Sequence, residues 1–181
     1  MSRNVEIKAI LKDRDPVLAA VANKSDRPPE TIEQHDYFFG CNDGRLKLRV
    51  LEPGHGELIR YKREDVAGPR SSHYQIARTS DPQVLLDILT FTLGRIGEVK
   101  KTRMLYLIGH TRVHIDRVEG LGDFVELEVV LWPDQSDAEG KRIAEALLRE
   151  LGIDEEQLIP EAYVDLLVRM KSSPSAFSRS Q

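Results

Sequence analysis

Cysteine is almost absent from this chain of 181 residues, with Cys41 as its single representative. One cysteine excludes an intramolecular disulfide framework and a cysteine-based zinc cluster, so a reducing compartment is expected. No apolar run approaches the roughly 18 residues of a membrane helix, and the N-terminus has no apolar stretch of the kind found in signal peptides. These absences predict a cytoplasmic protein without a membrane partner.

Positive charge is in slight deficit, because 26 Lys and Arg face 30 Asp and Glu and give a formal charge of −4. The charges are unevenly distributed: residues 41–80 hold eight cationic against five acidic side chains, residues 95–117 hold six against two, and residues 119–165 hold three against fourteen. A negative total argues against a nucleic-acid-binding protein. The basic blocks therefore need another explanation.

Hydrophobic alternation with a period of two recurs through most of the chain and predicts strands as the main scaffold. Short turns between several segments indicate antiparallel neighbours. The eight predicted strands cover residues 3–11, 32–39, 45–51, 57–63, 73–79, 99–108, 111–117 and 123–131. Capping residues, prolines and apolar stripes predict helices at 15–24, 81–93, 136–152 and 163–170, with Asp15, Asp81 and Ser136 as the N-terminal caps.

Five of these strands carry a row of ionisable side chains on one face, because residues i and i+2 of a strand share a face. A solvated sheet surface is the simplest interpretation of such rows. A solubility surface would intersperse the two signs, whereas here Lys47 and Arg49, or Lys101 and Arg103, stand together, and Glu126 and Glu128 form a separate acidic pair. Sorting by sign favours a binding site.

Eight antiparallel strands are enough to close a barrel whose lumen holds a small ligand. The expected fold is therefore α+β, an eight-stranded antiparallel β-barrel with helices packed outside, over residues 1–171. Residues 172–181 are Ser-rich and are expected to form a disordered tail. Converging Lys and Arg suit a polyanion, and paired carboxylates suit a hard cation such as Mg²⁺ or Mn²⁺. Together they describe a metal-bound triphosphate.

The motifs in this series resemble those of the CYTH superfamily, also called triphosphate tunnel metalloenzymes. The family signature Glu-x-Glu-x-Lys is matched at two of three positions by the segment from Asn4 to Lys8. Further segments agree in order over about residues 3–168: Gly44-Arg45-Leu46-Lys47-Leu48-Arg49, Tyr61-Lys62-Arg63, Lys101-Thr102-Arg103, Thr111-Arg112-Val113-His114-Ile115-Asp116 and Glu126-Leu127-Glu128. The resemblance implies a triphosphate tunnel that binds Mg²⁺ or Mn²⁺.

The resemblance also implies roles for individual residues. The expected metal ligands are Glu6, Glu126 and Glu128. The expected substrate-binding residues are Lys8, Lys47, Arg49, Arg63, Lys101, Arg103 and Arg112. The expected catalytic residues are Glu6, Lys8, Arg63 and Asp116. Asp116 would be either a further metal ligand or a residue that orients one of the phosphate-binding arginines. Arg45, Arg60 and Lys62 are expected to be surface charges.

Asn4 departs from the family pattern, because a neutral amide stands where the family has its first glutamate. The substitution removes one negative charge from the metal side. Three functions stay open: hydrolysis of inorganic tripolyphosphate, thiamine triphosphate or a nucleoside triphosphate; an adenylate cyclase reaction; and a non-catalytic sensor of triphosphate or polyphosphate. Hydrolysis is the leading hypothesis. The expected partner is a small-molecule triphosphate rather than nucleic acid, and a homodimer stays open.

Overall fold

The computed structural model describes residues 2–52 and 54–172. Its elements are numbered in chain order: β1 (Ser2–Ile10), α1 (Asp15–Lys24), β2 (Glu30–Phe39), β3 (Arg45–Glu52), β4 (His55–Arg63), β5 (Arg70–Thr79), α2 (Pro82–Leu93), β6 (Arg95–Ile108), β7 (Thr111–Val118), β8 (Gly122–Val130), α3 (Asp137–Glu150) and α4 (Tyr163–Ser172). The predicted tail lies outside the described residues, except for Ser172, which ends α4.

The strands form a closed barrel in the order β1-β5-β4-β3-β2-β6-β7-β8. Neighbouring strands are antiparallel throughout, so the predicted eight-stranded antiparallel barrel is confirmed. Strands β5 and β6 begin earlier than predicted. Arg70 pairs with Glu6 of β1, and Arg95 pairs with Phe39 of β2, so cross-strand pairing lengthens both strands.

Helices α1 and α3 cover the outer face of β1, β7 and β8. Alternate residues of these strands, such as Ile7, Val113 and Leu127, pack there against Val21 of α1 and Leu147 of α3 in the largest apolar cluster. Helix α3 also approaches the barrel at Gly140, where a Cβ would lie 2.7 Å from side-chain atoms of Leu131 and Val5. The apolar face of the strands therefore points outward, and the polar face is left to the lumen.

Helix α2 covers β2 and β3, where Leu86 packs with Phe39 and Leu48. The beginning of α4 closes one end of the barrel, because Tyr163 packs among the lumenal residues Phe38, Val99 and Phe124. None of the helices in the described ranges is long and apolar enough to cross a membrane.

The helix caps agree with the sequence at two of three positions. Asp81 accepts a hydrogen bond from the amide of Val84 (3.3 Å), and Ser136 forms a reciprocal capping box with Glu139. The prediction for Asp15 is wrong, because Asp15 is the first helical residue and Arg14 occupies the cap position without a side-chain hydrogen bond. Pro16 suits the first turn in either register.

Candidate active site in the barrel lumen

The lumen encloses a cavity of about 140 Å³. Its wall is built from side chains two residues apart on successive strands, as the alternation predicts. All of the predicted substrate-binding residues line the cavity: Lys8, Lys47, Arg49, Arg63, Lys101, Arg103 and Arg112. The three predicted metal ligands, Glu6, Glu126 and Glu128, line the same cavity.

Positive charge predominates in this wall. With Asp36 included, the lining residues in the described part of the chain comprise seven cationic side chains and four carboxylates. The ionised wall therefore carries an excess of three positive charges. Low-dielectric surroundings strengthen such a field, so the cavity suits a small, highly charged anion.

The β2–β3 side of the lumen holds its cations around one carboxylate. Asp36 accepts hydrogen bonds from Lys47 Nζ at 2.6 Å and from Arg49 Nε at 3.1 Å. Burial alone would raise the pKa of Asp36, but Arg49 and Lys47 hold that pKa well below its usual range. Burial and the charge of Arg49 lower the pKa of Lys47 to about 8. Asp36 therefore fixes both cations in place before any ligand arrives.

A second network supports the cations of β6. Asp116 is completely buried, accepts two hydrogen bonds from Arg103 at 2.6 Å each, and accepts one from Lys101 at 2.9 Å. The Tyr163 hydroxyl donates a further bond to Asp116 at 3.1 Å, and the Tyr163 ring lies under Lys8 Nζ at 4.1 Å from its centroid. With these four donors on its two oxygens, Asp116 is arranged to orient cations.

The pKa values in this network follow burial and pairing. Burial works against ionisation of Asp116, but Arg103 and Lys101 hold the pKa of Asp116 well below its usual range. Burial lowers the pKa of Lys101, and the charge of Arg103 lowers it further. Burial likewise lowers the pKa of Lys8, against the opposing effect of Glu126.

The β1–β8 side of the lumen carries the glutamates. Glu6 and Glu128 are directly paired across the two strands, and Glu126 follows on the same face of β8. Glu6 is held by Arg63 and, at 3.1 Å, by Arg70, and Glu126 lies 3.1 Å from Arg103. The nearest cation to Glu128 is Arg112 at 3.3 Å. Burial and the charge of Glu126 raise the pKa of Glu128, so this carboxylate is the least compensated of the three.

The β1–β8 side also contains unpartnered polar atoms. The Asn4 side-chain oxygen and His114 Nδ1 are buried without a hydrogen-bond partner among the described residues. Asn4 lines the cavity and lies two residues before Glu6 on the same face. His114 Nδ1 is 3.8 Å from Glu128, and burial together with Arg103 lowers the pKa of His114 well below its usual range. Two donor nitrogens of the arginines that hold Glu6, Arg63 Nε and Arg70 Nη2, are likewise buried without a partner among the described residues.

The carboxylates of Glu6, Glu126 and Glu128 and the side-chain oxygen of Asn4 fit a hard divalent cation by their chemistry. Opposed like charges are destabilising on a ladder, and a cation beside Glu6 and Glu128 would offset them, with Glu126 and the Asn4 oxygen as further oxygen donors. In this conformation no three carboxylate, histidine or cysteine side chains of the described residues converge on one point. Glu6 and Glu126 instead face arginines, so ion binding requires side-chain rotation.

The part of the wall formed by β4 and β5, next to β1, is apolar. On β4 and β5, Ile59 pairs with Ile76 and Tyr61 with Tyr74, and all four line the cavity. Burial raises the pKa of Tyr61, so its hydroxyl stays neutral. This two-by-two patch offers contact to an organic group rather than to phosphate.

Of the three cations that were expected at the surface, two lie there and the third, Arg45, does not. Arg60 and Lys62 point outward and pair with Asp43. Arg45 shares the lumenal face of Lys47 and is half-buried, with Nη2 2.6 Å from Asp165 at the start of α4 and 3.0 Å from Asp65. Arg45 therefore ties β3 to the helix that closes the tunnel.

Three supporting residues of the lumen were not predicted from the sequence. The alternation of β2 puts Asp36 on one face with Gln34 and Phe38, but a single acidic side chain forms no row of charges there. Arg70 is buried against Glu6, but it precedes the predicted strand and its role depends on the β1–β5 register. Tyr163 enters the lumen from a helix, a placement for which strand periodicity has no signal.

Comparisons with known proteins agree with this geometry. The model of the CYTH domain family matches residues 2–163. The adenylate cyclase CyaB of Aeromonas hydrophila is 26% identical over 169 residues, which cover 88% of this chain and 85% of that protein. The barrel and its lumenal residues thus fall within the matched region.

Two solved structures share the fold. The PH1012 protein from Pyrococcus horikoshii OT3 has a TM-score of 0.79 at 22% identity, covering 90% of this chain and 98% of that one. HpAC1 from Hippeastrum, an adenylyl cyclase candidate described with a dominant triphosphatase activity, has a TM-score of 0.63 at 15% identity, covering 99% and 100%. At these identities the likeness concerns the fold alone.

Proposed function

Because this chain belongs to the CYTH family, whose members are adenylate cyclases or triphosphatases, we propose that it is a divalent-metal-dependent triphosphatase acting on a substrate inside the barrel. The observation that carries this proposal is the lumenal cavity with seven cationic side chains and four carboxylates. Hydrolysis of a triphosphate depends mainly on positioning and charge neutralisation, and this wall supplies both.

The phosphate chain would bind to the seven lumenal cations. Lys47 and Arg49 are held by Asp36, and Lys101 and Arg103 by Asp116, so these cations need little rearrangement to donate to phosphate oxygens. Lys8, Arg63 and Arg112 complete this set of seven phosphate-binding side chains. Arginine forks match the geometry of phosphate oxygens.

The proposed ligands of Mg²⁺ or Mn²⁺ are Glu6, Glu126 and Glu128, with the neutral oxygen of Asn4 beside them. A bound divalent ion would polarise a phosphoryl oxygen and neutralise charge that develops on the leaving group. CYTH enzymes depend on divalent metal in general. Asn4 leaves this chain with three acidic side chains on the β1–β8 side, so its affinity for a second ion would be low.

The protein's own residues would act by charge and position. Water would attack the terminal phosphorus as the bond from that phosphorus to the bridging oxygen breaks, and the water would give its proton to a phosphate oxygen. Arg63 and Lys8 would stabilise the negative charge on the phosphoryl oxygens. Burial lowers the pKa of Lys8, which makes its proton easier to donate to a departing phosphate oxygen. Asp116, completely buried behind Lys101 and Arg103, would act as the orienter of these cations and not as a metal ligand. No covalent enzyme intermediate is implied.

The apolar patch formed by Ile59, Tyr61, Tyr74 and Ile76 supports a second candidate function. An adenylate cyclase must hold the base and ribose so that the 3′-oxygen attacks the α-phosphorus, and this patch could contact a planar ring. The enclosed volume of about 140 Å³ is small beside the roughly 300–1,000 Å³ of pockets that enclose organic ligands. The volume favours the phosphate chain as the group that lies inside the barrel, which both reactions require.

A substrate panel tests both candidates. Tripolyphosphate, thiamine triphosphate and ATP would each be incubated with Mg²⁺ or Mn²⁺ while orthophosphate, pyrophosphate and cyclic AMP are measured. Metal-dependent orthophosphate release supports the triphosphatase, whereas cyclic AMP with equimolar pyrophosphate supports the cyclase. Calorimetric binding without any product would instead indicate the sensor.

A matched pair of variants on β4 shows whether turnover occurs in the lumen. Arg63 faces the cavity, whereas Arg60, three residues earlier on the same strand, pairs with Asp43 on the outside. Arg63→Ala is expected to lower kcat/KM by about 10²-fold or more, and Arg60→Ala is expected to leave it unchanged. Equal effects of the two substitutions would refute a lumenal active site.

A further inference from the structure

Lys8 is the exception among the cations of the lumen. Each of the other six forms an ion pair with a carboxylate: Lys47, Arg49, Arg63, Lys101, Arg103 and Arg112. Lys8 forms no ion pair with any residue of the described ranges, although it is only 5% exposed. A buried charge without a partner costs free energy, so another group has to support this ammonium group.

The group that faces Lys8 is the ring of Tyr163. Lys8 Nζ lies 4.1 Å from the centroid of this ring, within the roughly 6 Å over which an aromatic face attracts a cation. Lys101 Nζ lies 5.2 Å from the same centroid, but Lys101 also has Asp116 at 2.9 Å. The ring is therefore an additional support for Lys101 and the principal support for Lys8.

An aromatic ring supports an ammonium group differently from a carboxylate. A carboxylate oxygen accepts a hydrogen bond and therefore competes with a phosphate oxygen for the same N–H donor. The face of a ring attracts the charge without an ionised oxygen that phosphate has to displace. Lys8 lines the cavity, and an ammonium group has three N–H donors. Those that point away from the ring are available to a ligand in the lumen.

Tyr163 is held in place by contacts that do not involve the side chain of Lys8. Its hydroxyl donates a hydrogen bond to Asp116 at 3.1 Å, and its ring packs on Phe124 with the centroids 4.8 Å apart. The segment before α4 is attached to β1 directly beside the lysine, because the Ile159 amide donates to the Lys8 carbonyl oxygen at 3.0 Å. The ring and the lysine backbone are therefore fixed relative to each other.

The first turn of α4 docks on two strands. A Cβ added at Gly97 of β6 would lie 2.9 Å from Val164 Cγ2, so the missing side chain lets the helix approach the barrel. On β3, Arg45 Nη2 lies 2.6 Å from Asp165. These contacts flank Tyr163 in the sequence and direct its ring into the lumen.

We propose that Tyr163 is the positioning residue of Lys8: its ring holds the ammonium group in the lumen by a cation–π contact and leaves N–H donors free for a phosphate oxygen. Docking of α4 then completes the phosphate site as well as closing one end of the barrel. The inference rests on the proposed function for the nature of the ligand, a triphosphate. The contact between Tyr163 and Lys8 belongs to the free protein, so it is testable without a ligand.

Proton NMR of the ligand-free protein tests the contact. Ring currents shift protons above an aromatic face upfield, so the methylene protons next to Lys8 Nζ are expected upfield of those of exposed lysines such as Lys62, whose side chain is 61% exposed. Lys8→Arg assigns the signal by removing it. Tyr163→Phe keeps the ring and should keep the upfield position, whereas Tyr163→Leu should abolish it. A wild-type Lys8 signal at the position of the exposed lysines would overturn the inference.

A double-mutant cycle tests whether Tyr163 acts through Lys8. Calorimetry without metal measures the affinity for tripolyphosphate. Tyr163→Leu is expected to weaken binding by about tenfold in the wild-type background. In a Lys8→Met background the same substitution is expected to weaken it by less than about twofold, because the group that the ring positions is gone. Tyr163→Phe should bind within about threefold of wild type, since it keeps the π-face.

Val164→Ala is the matched control, because Val164 is the next residue of α4 and packs against Gly97 of β6. Its effect on affinity should be the same in both backgrounds, and circular dichroism checks the fold of every variant. Equal losses for Tyr163→Leu in the two backgrounds, or a Tyr163→Phe variant that binds as weakly as Tyr163→Leu, would overturn the inference. A wild-type chain that does not bind tripolyphosphate would overturn the proposed function, and the NMR experiment alone would then decide whether Tyr163 holds Lys8.

Discussion

The β2–β3 side and the β1–β8 side of the lumen bury similar carboxylates in opposite electrostatic surroundings. On the β2–β3 side, Asp36 has two cationic partners within 3.1 Å, and its pKa lies well below the usual range because Arg49 and Lys47 outweigh its burial. On the β1–β8 side, Glu128 faces Glu6 across the ladder, and burial and Glu126 raise the pKa of Glu128. Cations therefore compensate the charge of Asp36 more fully than the charge of Glu128.

This difference separates two tasks within one cavity. A buried carboxylate with two cationic partners costs little free energy of folding, and it holds those cations in position to bind an anion. A buried carboxylate beside other carboxylates costs free energy until a cation arrives. In the proposed function, this asymmetry would orient a triphosphate, with its phosphate oxygens toward Lys47 and Arg49 and its metal toward the glutamates.

Removing the acidic pair of β8 should have the largest effect. Glu126→Gln with Glu128→Gln is expected to lower metal-dependent turnover by at least about 10³-fold, or roughly 4 kcal/mol, because the charge that would hold the ion is lost. Phosphate release measures the loss of turnover, Mn²⁺ titration measures the loss of metal binding, and circular dichroism checks the fold. The double substitution Glu33→Gln with Glu119→Gln, at exposed glutamates, is the matched control. Full activity of the β8 variant would remove the metal-site assignment.

Removing the carboxylate of the β2–β3 side should cost stability. Asp36→Asn leaves the half-buried Lys47 and Arg49 without a carboxylate partner, and we expect the free energy of unfolding to fall by about 3 kcal/mol. Urea denaturation without ligand measures the change.

Asp43→Asn is the control for Asp36→Asn, because Asp43 also has two cationic partners but lies on the outside with Arg60 and Lys62. Exposed pairs of this kind contribute little to stability, so no measurable loss is expected. A loss for Asp36→Asn no larger than that for Asp43→Asn would mean that the β2–β3 side is not pre-organised by Asp36.

Lys47 should make triphosphate binding sensitive to pH. Its pKa of about 8, depressed by burial and by Arg49, means that the free protein loses this charge above pH 8. A bound anion favours the protonated amine, so binding takes up a proton and affinity falls by up to about tenfold per pH unit between about pH 8 and 10.

Calorimetry with tripolyphosphate in the absence of metal measures this slope. Lys47→Arg supplies a charge that does not titrate in this range and should flatten the profile without abolishing binding. If the affinity of Lys47→Arg for tripolyphosphate fell equally with rising pH, the pH dependence would belong to another group.

The sequence predicts the barrel and much of the lumen because strand alternation is a local property. The positions of Lys47, Arg103 and Glu126 follow from residue parity once the strands are known. Asp36 was missed because one acidic residue in a strand makes no row, and its importance comes from cations on the neighbouring strand. Tyr163 and Arg70 depend on how α4 enters the barrel and on the β1–β5 register, which are tertiary properties without a local signal.

The single substitution Glu128→Gln should change the free energy of unfolding in the direction opposite to the change expected for Asp36→Asn. Glu128 is directly opposite Glu6 and two residues from Glu126 on the same face, and like charges at such positions destabilise a ladder by up to about 1 kcal/mol. We therefore expect Glu128→Gln to raise the free energy of unfolding of the metal-free protein by up to about 1 kcal/mol, measured by urea denaturation at neutral pH in a chelating buffer. Added Mg²⁺ or Mn²⁺ should stabilise the wild-type chain by mass action and stabilise the variant less. If Glu128→Gln instead destabilised the metal-free chain as Asp36→Asn does, Glu128 would be compensated by Arg112, and the two sides of the lumen would be electrostatically alike.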